Sequence, residues 1–264
     1  MDIVTQREAF LAALTTQAAQ DPRLRAVWLE GSLGRGNADR YSDVDLHVLL
    51  GEDDAQAMQA EWEGWLSGFR PLVLFNLHFG GAMINALTVD GLRIDLWPHA
   101  GDAVSPAARR VKVLHAQPGR LTLDSEDPEP QASQERALAV IREFWRCISL
   151  VPAVIGRQEN LVGLQGLAVE LGLVTELLML SEGVVRDRGV KHLNPYLPSG
   201  IRQQLEQSIL PGTLTPSELT AAHLRLAEMM QIHGPLAAER LGFNYPQELE
   251  GAVLSYVRSE LPAE

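Results

Sequence analysis

The stretch that most limits what this chain can be is "EGSLGRGNADRYSDVDLHVLL", Glu30 to Leu50. Asp43 and Asp45 open an apolar run in which Val44, Leu46 and Val48 alternate with other residues. That alternation predicts a strand over 43–50, and in a strand residues i and i+2 share a face. Both carboxylates therefore aim the same way. Held that close they repel, and one takes a proton unless a cation lies between them. A divalent ion removes the conflict, and Mg²⁺ suits a carboxylate pair that substrate phosphates complete. The pair reads as a metal seat.

Just upstream lies "GSLGRG". Gly31, Gly34 and Gly36 let backbone amides approach an anion closely, Ser32 adds a hydroxyl donor, and Arg35 can pair with a phosphate through two bonds. Beside a metal, such a turn would hold the tail of a nucleoside triphosphate. It lacks the Gly-Lys-Ser/Thr ending of a P-loop and the βαβ setting of a dinucleotide-binding turn. A third acid, Asp95 in "GLRIDLWP", sits between Ile94 and Leu96 on a strand-like run, where neighbouring strands would bring it to the first pair. Trp97 is expected to pack in the core, with lining the same pocket as its alternative role.

Around these motifs the first half reads as mixed α/β. Helices are expected over 4–20 and 55–68, the latter with Met58, Trp62, Trp65 and Leu66 on one side. Strands are expected over 25–30, 71–78, 83–89 and 92–97, with Asp90-Gly91 closing a tight hairpin. At 117–134, "QPGRLTLDSEDPEPQASQ", periodicity fades and proline and acids accumulate. The expected division is residues 1–118, a linker at 119–134, and a helical domain at 135–264. In that second half Leu138, Ile141, Trp145 and Ile148 keep helical spacing, and Pro152 is expected to restart or kink the chain. A long buried helix is expected over 158–182, another from the capping box Thr215-Pro216-Ser217-Glu218 to about His233, and a last one over 246–260.

Gly31-Ser32, ten intervening residues, then Asp43-Val44-Asp45 resembles the signature of the DNA polymerase β-like nucleotidyltransferase superfamily. "EGSLGRGNADRYSDVDL" is most similar to the antibiotic nucleotidyltransferases that adenylylate aminoglycosides or lincosamides. The helical half, with "EFWRCISLVPAVIGRQE" and "KHLNPYLP", is similar to their carboxy-terminal domain in layout and a few residues. The resemblance implies an α+β fold: a nucleotidyltransferase-type mixed sheet with flanking helices, then an α-helical bundle that binds the acceptor. It implies that Asp43 and Asp45 ligate the metal bridging the triphosphate of ATP. Asp95 would bind metal or take the proton from the acceptor hydroxyl. Gly31, Ser32 and Arg35 would hold the β- and γ-phosphates. Lys191, with Arg186 as the second candidate, would reach the triphosphate from the second domain. Arg157 and Glu159, after Gly156, read first as surface charge, with Glu159 as an alternative general base or a contact for a cationic substrate. The reaction implied is in-line attack of a small-molecule hydroxyl on the α-phosphorus with release of pyrophosphate.

The charge balance narrows the partners. Against 34 acidic residues the chain has 22 basic ones, a net charge of −12, which argues against nucleic acid and leans towards neutral or cationic partners. Its seven histidines form no zinc pattern with the lone Cys147, and no disulfide can form within the chain, so a reducing cytoplasmic setting fits. Leu161–Leu180 approaches membrane-spanning length but carries Glu170 and Glu176, and is expected to be a buried helix rather than a span. Two rival readings stand beside the enzyme: a nucleotide-binding or antitoxin-like module without activity, and an enzyme that nucleotidylates a protein or an RNA end. The presence of all three acids disfavours the first.

Overall fold

The computed structural model describes residues 2–125, 131–185, 193–208 and 211–261. The chain divides into two compact units, Met1–Pro128 and Glu129–Glu264.

The first unit begins with α1 (Ile3–Ala18), capped by the Asp2 carboxylate, which accepts from the amides of Val4 and Thr5. Its face Arg7, Phe10, Leu14 and Ala18 is buried. Next come β1 (Leu24–Leu29), the one-turn helix α2 (Gly31–Gly34) and β2 (Val44–Leu50). The helix expected over 55–68 is broken into α3 (Glu52–Met58) and α4 (Trp62–Ser67). The break lets Trp62 and Trp65 both turn into the core, edge to face at 5.3 Å, while the expected inward set stays inward. Then follow β3 (Leu72–His78), β4 (Met83–Thr88) and β5 (Arg93–Ala100), with Gly91 at φ +88° in the β4–β5 turn, where a side chain is disfavoured.

One strand lacks a sequence signal. The short β6 (Lys112–Ala116) pairs antiparallel with β1 and completes a six-stranded sheet ordered β3-β4-β5-β2-β1-β6. Within it β2 and β5 run parallel, and every other pair is antiparallel. One face packs Val27, Leu29, Leu46, Val48, Ile94 and Leu96 against Phe10, Leu14, Trp62 and Leu66 of the helices. On the other face, Val104, Val111 and Leu121 cover Ala26, Trp28 and Leu49. Bridges from Val104 to Leu121 and from Ala107 to Asp124 keep the chain with this unit past residue 119.

The second unit is helical: α5 (Gln134–Gly156), α6 (Asn160–Ser181), α7 (Ser199–Ser208), α8 (Pro216–Leu241) and α9 (Gln247–Glu260). Helix α5 runs through Pro152 instead of restarting there, and α8 runs through Pro235 beyond His233. At Pro152 packing outweighs the hydrogen bond the proline removes. Pro152 is buried next to Val151, and Gly234 leaves room for the Tyr245 ring, which a Cβ would meet at 2.5 Å. The core joins Phe144, Trp145 and Ile148 of α5 to Leu167, Val174 and Leu177 of α6 and Leu219, Leu226 and Met230 of α8.

Helix α6 is long and apolar enough to cross a membrane by length and composition. The sequence leads one to expect burial along its whole length, and the structure shows burial over only part of it. Its carboxy-terminal half enters the core, but Leu161, Val162 and Val169 are exposed. Inside the unit, the buried Glu170 accepts from or donates to His223 Nδ1 at 2.6 Å, and burial holds the Glu170 carboxyl above its ordinary range.

Candidate active site

Parallel pairing of β2 with β5 sets the register Asp45 opposite Asp95, so the two side chains stand next to each other on one face of the sheet. Asp43, two residues earlier, joins them. Oxygens of all three carboxylates lie within 4.8 Å of one another, with Asp43 buried and the other two half-buried. Among the described residues this is the one group of three or more acids, histidines or cysteines whose ligand atoms converge in this way. Three hard oxygen donors at that spacing fit a divalent cation such as Mg²⁺, whose charge would offset their repulsion.

Gly31 brings the upstream segment into contact with this cluster. It has φ +60°, and a Cβ placed on it would lie 1.7 Å from Asp45 Oδ2. The first disfavours any residue with a Cβ, and the second admits glycine alone. The Glu30 amide also donates to the Asp45 carbonyl at 3.0 Å, which pins the start of α2 to β2. In α2 the amides of Gly34 and Arg35 bond back to Glu30 and Gly31, so those of Gly31, Ser32 and Leu33 precede the first intrahelical bond. Ser32 lies in this turn and Arg35 closes it; both are half-buried. Gly34 has a different reason from the anion approach read in the sequence. A Cβ there would lie 2.3 Å from the Arg110 carbonyl and 2.6 Å from that of Leu29, so it is a packing glycine.

The loop that delivers Asp43 is held from below. Arg7 of α1, 5% exposed, donates from one guanidinium nitrogen to the carbonyls of Asp39 and Ser42 at 2.8 and 2.9 Å. Asp39 organises the same turn, accepting from the Tyr41 amide and the Ser42 hydroxyl. On β4, Asn85 is in register with Asp95 and donates from Nδ2 to Asp95 Oδ1 at 2.6 Å.

Behind the acids, the same alternation that aligns 43 with 45 and 95 continues to His47, Trp97 and His99. Trp28, His47 and Trp97 are in register across β1, β2 and β5 and form a row of stacked rings. His47 Nδ1 meets His99 Nε2 at 2.9 Å, and Trp28 Nε1 donates to Glu30 at 3.1 Å. Burial, then the neighbouring His99, pushes His47 from its ordinary 6.5 down to about 3, and burial also lowers His99. The row beside the acids is therefore uncharged at neutral pH and offers them no competing cation.

The sequence pointed to Asp43, Asp45, Asp95, Gly31, Ser32 and Arg35, and these fall in one region of the first unit. Lys191 and Arg186 lie outside the described residues. Arg157 and Glu159 are exposed at the α5–α6 junction of the second unit. Arg7 and Asn85 were not read from the sequence, since an arginine on a helix and an asparagine on a strand carry no local signal. The ring row does leave one, because period two extends both acid motifs by one and two steps.

Residues 16–98 match a family model described as a nucleotidyltransferase domain. The matched span covers β1, α2, the three acids, β2 and β5 as far as residue 98, in agreement with the signature in the sequence. No curated protein matches the chain in sequence. A solved structure described as an aminoglycoside 6-adenyltransferase from Bacillus subtilis is 16% identical, covering 97% of this chain and 98% of its own, with a TM-score of 0.45.

Proposed function

The chain carries a nucleotidyltransferase domain over residues 16–98, and on that premise we propose that it transfers AMP from ATP to a hydroxyl of a small molecule, releasing pyrophosphate. The observation that carries this reading is the convergence of Asp43, Asp45 and Asp95 against Gly31. Asp43 and Asp45 would hold Mg²⁺, with Asp95 as the third ligand or as the acceptor of the hydroxyl proton. Bound there, the cation would neutralise triphosphate charge as it shifts towards the leaving group. The amides of Gly31 to Leu33, the Ser32 hydroxyl and Arg35 would bind the β- and γ-phosphates, fixing the α-phosphorus over the acids. Most of the rate would come from this positioning and from charge compensation.

The acceptor we propose is an aminoglycoside- or lincosamide-like antibiotic. The reading is supported by the likeness of "EGSLGRGNADRYSDVDL" to the antibiotic-modifying members, and the net charge of −12 suits a cationic acceptor. A cytoplasmic location, where ATP and Mg²⁺ are available, belongs to the same reading.

The test is pyrophosphate release from ATP and Mg²⁺ across a panel of aminoglycosides and lincosamides, with the modified acceptor identified by mass. Asp45→Asn should lower turnover by about a thousandfold or more while leaving the fold intact. Mg²⁺ with a non-hydrolysable ATP analogue should raise the melting temperature of the wild type and not that of the variant. A fully active Asp45→Asn enzyme would refute the metal assignment.

A further inference from the structure

In-line displacement places the attacking oxygen and the departing pyrophosphate on opposite sides of the phosphorus. The sheet order gives those sides an address. Gly31 follows β1 and touches Asp45 from the β1 side, so a triphosphate held there leaves the opposite direction, across β5 towards β4 and β3, to the acceptor. Along that direction the residues in register are Asp45, Asp95, Asn85 and Asn76, one on each of four adjacent strands. Residues paired across strands share a face, and the hydrogen bond from Asn85 to Asp95 is made on this one. Asn76, at the end of the row, is exposed, and Leu74 opposite Leu87 flanks it on the same face.

Resting on the nucleotidyl-transfer reading above, we propose that the exposed face of the β3–β4 hairpin is the acceptor's subsite, with Asn76 binding a hydroxyl-rich, sugar-like portion of the acceptor and Asn85 positioning Asp95. The chemistry favours this class. The neutral Asn76 amide reads hydroxyls by direction without adding charge near the metal seat. An aspartate at 85 would add a fourth negative charge, and a lysine would compete with the metal for Asp95. An amide donor fixes one Asp95 oxygen and leaves the other available. The leucine pair offers an apolar surface for the carbon face of a sugar ring.

The experiment compares wild type with Asn76→Ala, Asn85→Ala and the similar-sized Asn85→Leu. The probes are Mn²⁺ with a non-hydrolysable ATP analogue, followed by electron paramagnetic resonance, and steady-state transfer to streptomycin, kanamycin and lincomycin. Asn76→Ala should raise the acceptor KM about tenfold with kcat, the ATP KM and Mn²⁺ affinity unchanged. Both Asn85 variants should lower kcat and weaken Mn²⁺ binding about tenfold, with unaltered melting curves. Unchanged acceptor KM in Asn76→Ala overturns the subsite, and unchanged Mn²⁺ affinity in both Asn85 variants overturns the positioning role. A wild type that binds Mn²⁺ and nucleotide but modifies none of the probes overturns the acceptor class and leaves the nucleotidyl site standing. A wild type that binds neither removes the underlying reading itself.

Discussion

Gly31 shows how a single position can join two parts of a site. Its φ of +60° and its contact with the Asp45 carboxylate are separate constraints, one on the backbone and one on space. Gly31→Ala meets both. The backbone conformation alone costs about 1–2 kcal/mol for a residue with a Cβ, and the methyl must also displace Asp45 or the turn. The variant should therefore lose nucleotide-dependent Mn²⁺ binding and transfer, with only a modest fall in the melting temperature. Gly36 is also at positive φ, but a methyl added there would meet nothing within 4 Å, so Gly36→Ala should show the backbone cost alone. Comparing Gly31→Ala with Gly36→Ala by calorimetry and turnover separates the two effects. Retained activity in Gly31→Ala would contradict the tight approach.

The pairing of β2 with β5 decides more than either strand does. Register Asp45–Asp95 assembles the acids, and the same register stacks Trp97 on His47. The ring row makes the sheet sensitive to acid. His47 is held at about 3 against 6.5 for a free imidazole, so between those values the unfolded chain binds a proton that the folded chain refuses. Stability is therefore intact above about 6.5 and falls as pH drops towards 3, by about 1.4 kcal/mol per pH unit within that window for this group. His99, lowered by burial as well, acts in the same direction. Urea midpoints measured from pH 7 to pH 4 should decline, and His47→Gln should flatten the decline by roughly one proton's share. An equal slope in the variant would show that the row does not refuse the proton.

At the scale of the molecule, each unit has its own core: one between the sheet and α1, α3 and α4, the other among α5, α6, α8 and α9. A helical unit whose core closes on itself, with Glu170 and His223 bonded inside it, should fold alone. Residues 131–264 expressed separately should show helical circular dichroism and a cooperative melt, and a non-cooperative melt would mean its core needs the sheet unit. That Asp43 and Asp45 aim the same way was legible in advance because period two fixes which side chains in one strand share a face, whatever surrounds them. Gly31-Ser32 and Asp43-Val44-Asp45 needed only local spacing, and so did the alternation of sheet strands with flanking helices and the helical second half. Sequence could not supply what depends on pairing between distant segments. The parallel β2–β5 register, the closing strand β6, the hold of Arg7 on the loop before Asp43 and the bond from Asn85 to Asp95 all join residues far apart in the chain. Nor could it decide that α5 continues through Pro152 rather than restarting, because a local hydrogen-bond penalty is outweighed there by burial that only the assembled core provides.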